Sequence, residues 1–190
     1  MRIKKFLTEE KLKLILRTFI ESQFNYCPLV WMCHSNELNN KINKLHERAL
    51  RLVYPGRCLT FDDLLAKSGS FTIHERNLQK LAIEMYKVKN NLCPKPVQDL
   101  FRVSGRGNHV WALPKTRTVN NGIETVRYLG PKTWDKLPVE IRNQKSLASF
   151  SEEVKKWKPC KCECRLCTPF INDLGYLKKQ VKNVRDPLVG

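Results

Sequence analysis

The chain has 190 residues, which is enough for one domain or for one domain with a small appendix. Since 42% of its residues are hydrophobic and 28% are charged, it can bury a core, and its composition excludes a disordered chain. Its formal net charge of +17 favours a polyanionic partner, most commonly nucleic acid; the alternative is a merely soluble basic surface.

The first apolar residues are interrupted by lysines at positions 4, 5 and 11, so the start does not resemble a secretory signal. The longest apolar run, CPLVWMC, is too short to cross a bilayer. We therefore expect an intracellular protein, nuclear or cytoplasmic, with no membrane partner. In such a reducing compartment the eight cysteines need not form disulfides.

The first predicted helix covers residues 8–26. Thr8 can cap it, and Leu12, Leu16, Phe19 and Gln23 share one face. Pro28 then breaks the helical pattern.

The second predicted helix carries two parallel rows. Its apolar row, spaced by alternating steps of four and three, predicts the buried face: Leu38, Ile42, Leu45, Ala49 and Leu52. Each residue of the neighbouring cationic row stands one position before an apolar residue: Lys41, Lys44, Arg48 and Arg51. We interpret the cationic row as a contact for a phosphate backbone. The alternative is a solvated flank on which Glu47 pairs with Arg51.

Two further helices are predicted to begin at Thr60 and near Thr72. The second of them buries Leu78, Leu81, Met85 and Val88 and ends before Pro94. The segment from 104 to 134 is rich in Gly, Pro, Asn, Thr and Val and predicts a small hairpin with an Asn-Asn-Gly turn. A last helix follows Ser146. The fold class is therefore mainly α, a helical bundle with a small β-hairpin region and a short cysteine-rich appendix.

No catalytic constellation is convincing in this sequence. The paired carboxylates Asp62 and Asp63 follow Thr60 and suit the first turn of a helix better than a polymerase metal site. No Ser-His-Asp or Cys-His arrangement can be argued from spacing, and His46 is expected to be an exposed ring or a phosphate contact. For the tryptophans at 111, 134 and 157, packing is favoured over stacking on unpaired bases.

The sequence CKCECRLC concentrates four cysteines: Cys160, Cys162, Cys164 and Cys167. Cysteines two apart on a strand lie roughly 6.5 Å apart, so the chain must turn sharply to bring several sulfurs within about 2.3 Å of one zinc ion. We expect a structural zinc held by Cys162, Cys164 and Cys167, with Cys160, Cys33 or His34 as the fourth ligand. Unmetallated thiols are the second interpretation and disulfides the last.

Several long phrases resemble one family. ESQFNYCPLVWMCHSNELNNKINKLHERALRLVY (21–54) and TIHERNLQKLAIEMYKVKNNLCP (72–94) resemble segments that follow the polymerase core of jockey-like LINE-type (non-LTR) retrotransposon reverse transcriptases. LPKTRTVNNGIETVRYLGPKTWDKLPVEIRNQKSLASFSEEVKKW (113–157) is similar to their C-terminal block, and WKPCKCECRLC with LGYL to their cysteine-containing end.

The resemblance implies a post-palm segment of an RNA-directed DNA polymerase, without the catalytic Tyr/Phe-x-Asp-Asp motif. Residues 1–100 would be a thumb-like helical domain, 101–158 a C-terminal domain and 159–190 a cysteine-rich basic tail. A thumb binds a template–primer duplex without base preference, and its partners would be an RNA–DNA duplex or RNA template and the reverse transcriptase palm. Arg76 and Lys80, on the helix predicted to begin near Thr72, are weaker candidates for contact with the phosphate backbone than the cationic row of the second helix.

Two other functions remain open. The chain could be a protein-interaction or assembly module with an exposed apolar patch on residues 8–33, or a remnant of the element with no function.

Overall fold

The computed structural model describes residues 7–34, 36–56, 58–104, 110–115 and 125–159. It is mainly helical with one two-stranded hairpin, so the predicted fold class is confirmed. The chain divides into two compact units between Asn77 and Leu78, inside one helix. The predicted division after residues 100 and 158 stays a prediction.

The first unit contains α1 (Glu9–Ile15), a π-helical segment (Leu16–Glu21), α2 (Ser22–Asn25), α3 (Pro28–Trp31), α4 (Asn36–Val53) and α5 (Phe61–Ser68). Its core joins α1, the π segment, α4 and α5 through Leu12, Leu16, Leu50, Val53 and Leu64. Burial of these aliphatic side chains is the main force that holds the short helices together.

The π segment changes which residues of the first helix are buried. Leu12 and Leu16 are buried, but Phe19, which was predicted to share their face, is 71% exposed, so that part of the prediction is wrong. The wider turn of a π-helix places the next residue, Ile20, against the core instead. Thr8 occupies the N-cap position of α1, although its side chain makes no capping hydrogen bond.

The predicted buried face of α4 is also wrong, because the face that packs in the core is rotated about the helix axis from the predicted one. Leu38 and Leu45 are 49% and 54% exposed, whereas Ala49 is buried as predicted. The buried face instead contains Asn39, His46, Ala49, Leu50 and Val53. At 3.6 residues per turn this is a rotation of about a quarter of a turn, and it brings the polar side chains of Asn39 and His46 into core positions.

The α5 helix begins with a capping box. The Asp63 backbone N–H donates to Thr60 Oγ1 over 3.2 Å, and the Thr60 backbone N–H donates to Asp63 Oδ2 over 2.9 Å. The prediction that this sequence starts a helix is confirmed.

The α6 helix (Ile73–Lys89) spans the division between the units, and Thr72 and Glu75 form a second reciprocal pair of hydrogen bonds at its start. Leu78, Leu81, Met85 and Val88 are buried, as predicted.

The second unit contains the rest of α6, α7 (Lys95–Gln98), β1 (Arg102–Val103), β2 (Trp111–Ala112), α8 (Val126–Lys136), α9 (Val139–Arg142) and α10 (Leu147–Lys156). Its core is aromatic: Phe150 stacks on Tyr86 with ring centroids 4.3 Å apart and lies 6.0 Å from Trp134. Trp111 and Trp134 are buried and Trp157 packs against the same cluster, so the preference for packing is confirmed. Ser146 caps α10 through the Ser149 N–H, also as predicted.

The hairpin is antiparallel and pairs Arg102 with Ala112 and Val103 with Trp111. The predicted hairpin, with its turn at Asn120-Asn121-Gly122, is a different one, because residues 104–110 join the two strands observed here; that turn lies outside the described residues. Residues 126–134, predicted to belong to the hairpin and its loops, lie in α8 instead, whereas the short helix predicted within GPKTWDKLP (130–138) agrees with α8. This helix tolerates Pro131 in its interior because Gly130, Pro131 and Trp134 are buried, and that packing offsets the backbone hydrogen bond which proline cannot donate.

Within the described ranges, no helix is both long and apolar enough to cross a membrane.

Candidate nucleic-acid interface

The exposed face of α4 carries three of the predicted cations. Lys41, Lys44 and Arg48 are exposed, on the opposite side of the helix from Leu50 and Val53. They span about 10 Å along the axis at 1.5 Å per residue. They therefore lie at the centre of the solvent face, and not at the edge of the core where the sequence placed them.

Among the described residues, Lys41 has one weak ion pair. Its Nζ lies 2.7 Å from Glu37 Oε1, with the two side chains 64% and 77% exposed. A surface pair of this kind contributes about 0–1 kcal/mol and is screened by salt. A phosphate can therefore replace the carboxylate at little cost, and the i, i+4 spacing of Glu37 and Lys41 was already visible in the sequence.

Arg51 differs from the other three cations of the row. Its Nε and Nη2 donate to Glu47 Oε1 over 3.0 and 2.7 Å, and it also donates to the carbonyl oxygens of Gly56 and Leu59 over 3.1 and 2.7 Å. Arg51 thus holds the connection between α4 and α5. A phosphate contact by Arg51 stays a prediction, and it would have to compete with these four bonds.

The two weaker candidates lie on α6. Arg76 Nη2 is 3.0 Å from Glu21 Oε1, and the side chains are only 18% and 15% exposed, so the pair ties α6 to the π segment within the first unit. Lys80 is half-buried. The structure therefore brings Lys41, Lys44 and Arg48 together on one exposed surface and places Arg76 in a mostly buried ion pair.

His46 is not a surface residue, so its expected role as an exposed ring or phosphate contact is wrong. Its side chain is fully buried between the rings of Phe24 and Phe61, with centroids 6.4 and 5.8 Å away. Burial, together with the nearby Arg76 guanidinium, lowers the pKa of His46 to about 4, so the ring is neutral at pH 7.

The predicted zinc ligands Cys160, Cys162, Cys164 and Cys167 lie outside the described residues. Of the alternative fourth ligands, Cys33 is exposed, and His34 is half-buried with Nδ1 donating to the Trp31 carbonyl oxygen over 3.0 Å. This bond leaves Nε2 of His34 as the nitrogen that could accept a metal. Among the residues with described positions, no group of three or more His, Cys, Asp or Glu side chains could hold a metal ion.

In comparisons with protein-family models, curated proteins and solved structures, nothing matches this chain.

Proposed function

We propose that the chain binds duplex nucleic acid through its phosphate backbone, without base preference, using Lys41, Lys44 and Arg48. The observation that carries the proposal is the exposed row of these three cations on one helix face of a chain with net charge +17. Three cations spaced over about 10 Å can contact neighbouring phosphates of one strand, which are about 3.4 Å of helix axis apart.

The family resemblance supports the wider context of this proposal. The chain would be the thumb-like, post-palm segment of a non-LTR retrotransposon reverse transcriptase, with an RNA–DNA hybrid as ligand and the polymerase palm as partner. We assign it no catalytic residue. A structural zinc at the terminal cysteines belongs to the same proposal, because basic neighbours such as Lys158 and Lys161 favour the thiolate form that binds zinc.

The test is a salt titration of binding to a labelled RNA–DNA hybrid, with zinc and with a chelator. Each phosphate neutralised contributes about 0.9 to the slope of log K against log salt on B-form DNA. The variant Lys41→Gln/Lys44→Gln/Arg48→Gln should therefore lower the slope by about 2 to 3 and bind more weakly. Loss of binding on chelation would support the zinc site.

The matched control is Lys11→Gln/Arg17→Gln/Lys67→Gln. It removes two lysines and one arginine from exposed positions of the same unit outside α4. It should keep a slope close to that of the natural chain. Equal loss in both variants would reduce the proposal to non-specific attraction by net charge, and no binding at low salt would favour a remnant without function.

A second candidate function is protein interaction. Four large apolar side chains in residues 8–33 are strongly exposed, as expected for such a module: Leu14 at 62%, Phe19 at 71%, Tyr26 at 77% and Val30 at 83%. Sedimentation velocity without nucleic acid tests it, since concentration-dependent association that Phe19→Ser reduces would favour this function.

A further inference from the structure

A groove in the second unit lies against the hairpin. It is open to solvent and has a volume of about 580 Å³, within the range of small-molecule sites. The end of α6, the residues that follow α7, and both strands line it. Its lining belongs to residues 88–111, so none of the α4 cations contributes to it.

The groove has an apolar floor and a charged rim. Val88 and Trp111 are buried in its floor, and the half-buried ring of Phe101 stands beside them, 6.1 Å from Trp111 between centroids. The rim carries the exposed side chains of Lys89, Arg102 and Asp99. Lys89 Nζ also lies 5.3 Å from the centre of the Trp134 ring, and this cation–π contact favours a defined position for the ammonium group.

We propose that this groove binds a single unpaired nucleotide, with its base against Phe101 and the floor and its phosphate at Lys89 and Arg102. Base–aromatic stacking accepts any base, and guanidinium and ammonium groups are the usual partners of phosphate. Asp99 argues against a simple phosphate site, because a carboxylate repels an anion but accepts hydrogen bonds from the N–H groups of a base. The Trp111 Nε1–H is buried without an acceptor among the described residues, and Trp111 lines the groove, so this N–H is a local reporter of ligand binding.

The groove extends the proposed function from paired to unpaired nucleic acid, and it depends on different residues. A free nucleotide and a nucleotide within a single strand present the same chemistry. The probes are therefore adenosine 5′-monophosphate, a single-stranded oligoadenylate of nine nucleotides, inorganic phosphate and adenosine, each titrated into the full chain.

The measurement is the ¹H–¹⁵N spectrum, in which the indole N–H of Trp111 is assigned by Trp111→Phe or, if that variant does not fold, by sequential assignment. Adenosine 5′-monophosphate should shift this resonance saturably with a Kd on the order of 1 mM. Lys89→Gln/Arg102→Gln should weaken binding about tenfold, whereas Lys145→Gln/Lys155→Gln, which removes two exposed cations of the same unit that do not line the groove, should change it less than about twofold.

The titrations distinguish a strand from a free nucleotide as the ligand. Oligoadenylate binding at least tenfold tighter than the mononucleotide, and dependent on Lys89 and Arg102, identifies a strand as the ligand; equal affinity identifies a free nucleotide. An unshifted Trp111, an equal response to inorganic phosphate, or equal weakening by the control pair overturns the proposal. The α4 triple variant should leave the mononucleotide response intact, and the groove variant should leave the duplex salt slope intact, so failure of either proposal is visible independently of the other.

Discussion

His46 is a polar residue in an apolar environment. It lies between Phe24 and Phe61, and neither ring nitrogen has a hydrogen-bond partner among the described residues. An unsatisfied buried polar group costs about 1–3 kcal/mol. The fold therefore tolerates this histidine only as the neutral ring. We expect protonation of His46 at low pH to destabilise the folded chain.

The pH dependence has a definite sign. The folded pKa of His46 is about 4 against 6.5 for an ordinary histidine, so between these values the unfolded chain binds more protons. The free energy of unfolding should fall by about 3 kcal/mol as the pH falls from 6.5 to 4. In His46→Leu, urea unfolding at neutral pH should change by less than about 1 kcal/mol, and the loss between pH 6.5 and 4 should be much smaller.

The control is His34→Gln, which replaces a half-buried histidine of the same unit and should retain the acid loss. If His46→Leu retained the full loss as well, the burial of His46 would not be its cause.

Thr60 shows how a single cap acts on a helix. Thr60→Ala should lower the free energy of unfolding by about 1 kcal/mol. The hydrogen bonds from the Thr60 side chain and backbone N–H hold the pKa of Asp63 below its ordinary value, so Asp63 stabilises α5 above that value and this contribution is lost as the pH falls. The variant should raise the pKa of Asp63, which carboxyl NMR can follow.

Thr8→Ala is the matched control, because Thr8 is an N-cap with extended backbone but no capping hydrogen bond. Its effect should be within a few tenths of a kcal/mol. Equal losses at both threonines would contradict the assignment of the cost to the hydrogen bond.

At the scale of elements, α8 depends on the absence of a side chain at Gly130. A Cβ placed there would lie 2.7 Å from Met85 Sδ and 3.0 Å from Phe101 Cε1. Helix propensity alone would make Gly130→Ala stabilising by about 1 kcal/mol. Overpacking of a closed core costs about 1–3 kcal/mol, so we expect net destabilisation, measured by urea unfolding.

Gly69 provides the comparison, since a Cβ there meets nothing within 4 Å but the residue has a φ of +61°. Gly69→Ala should cost about 1 kcal/mol from backbone conformation alone, and Gly69→Asn should cost less because asparagine tolerates this region. A stabilised Gly130→Ala would show that Met85 and Phe101 move aside freely.

Local signals in the sequence predicted the elements better than their orientation. The caps at Thr60 and Ser146 and the buried face of α6 were predicted correctly, because each depends on residues close to it along the chain. The face of α4 was not, because tertiary packing buries Asn39 and His46 and leaves Leu38 and Leu45 exposed. Similarly, no residue in the sequence indicates the π-helical segment that leaves Phe19 exposed.

The candidate sites also differ in how far the sequence predicts them. The row of Lys41, Lys44 and Arg48 is visible in sequence because one helix presents it. The groove of the second unit was missed because α6, the loop after α7 and both strands each supply only part of it. The involvement of Arg51 with Gly56 and Leu59 depends on the path of the connection to α5, which spacing along a helix does not specify.

At the scale of the whole molecule, a net charge of +17 has opposite effects on folding and on binding. Self-repulsion destabilises the compact chain, and salt screens it with a Debye length of about 10 Å at 0.1 M. The thermal midpoint at pH 7 should therefore rise from 50 to 200 mM NaCl, while affinity for a duplex falls over the same range. The α4 triple variant, with charge reduced from 17 to 14, should show a smaller rise. Circular dichroism at the two salt concentrations measures it, and a midpoint that falls with salt would mean that favourable ion pairs outweigh the repulsion.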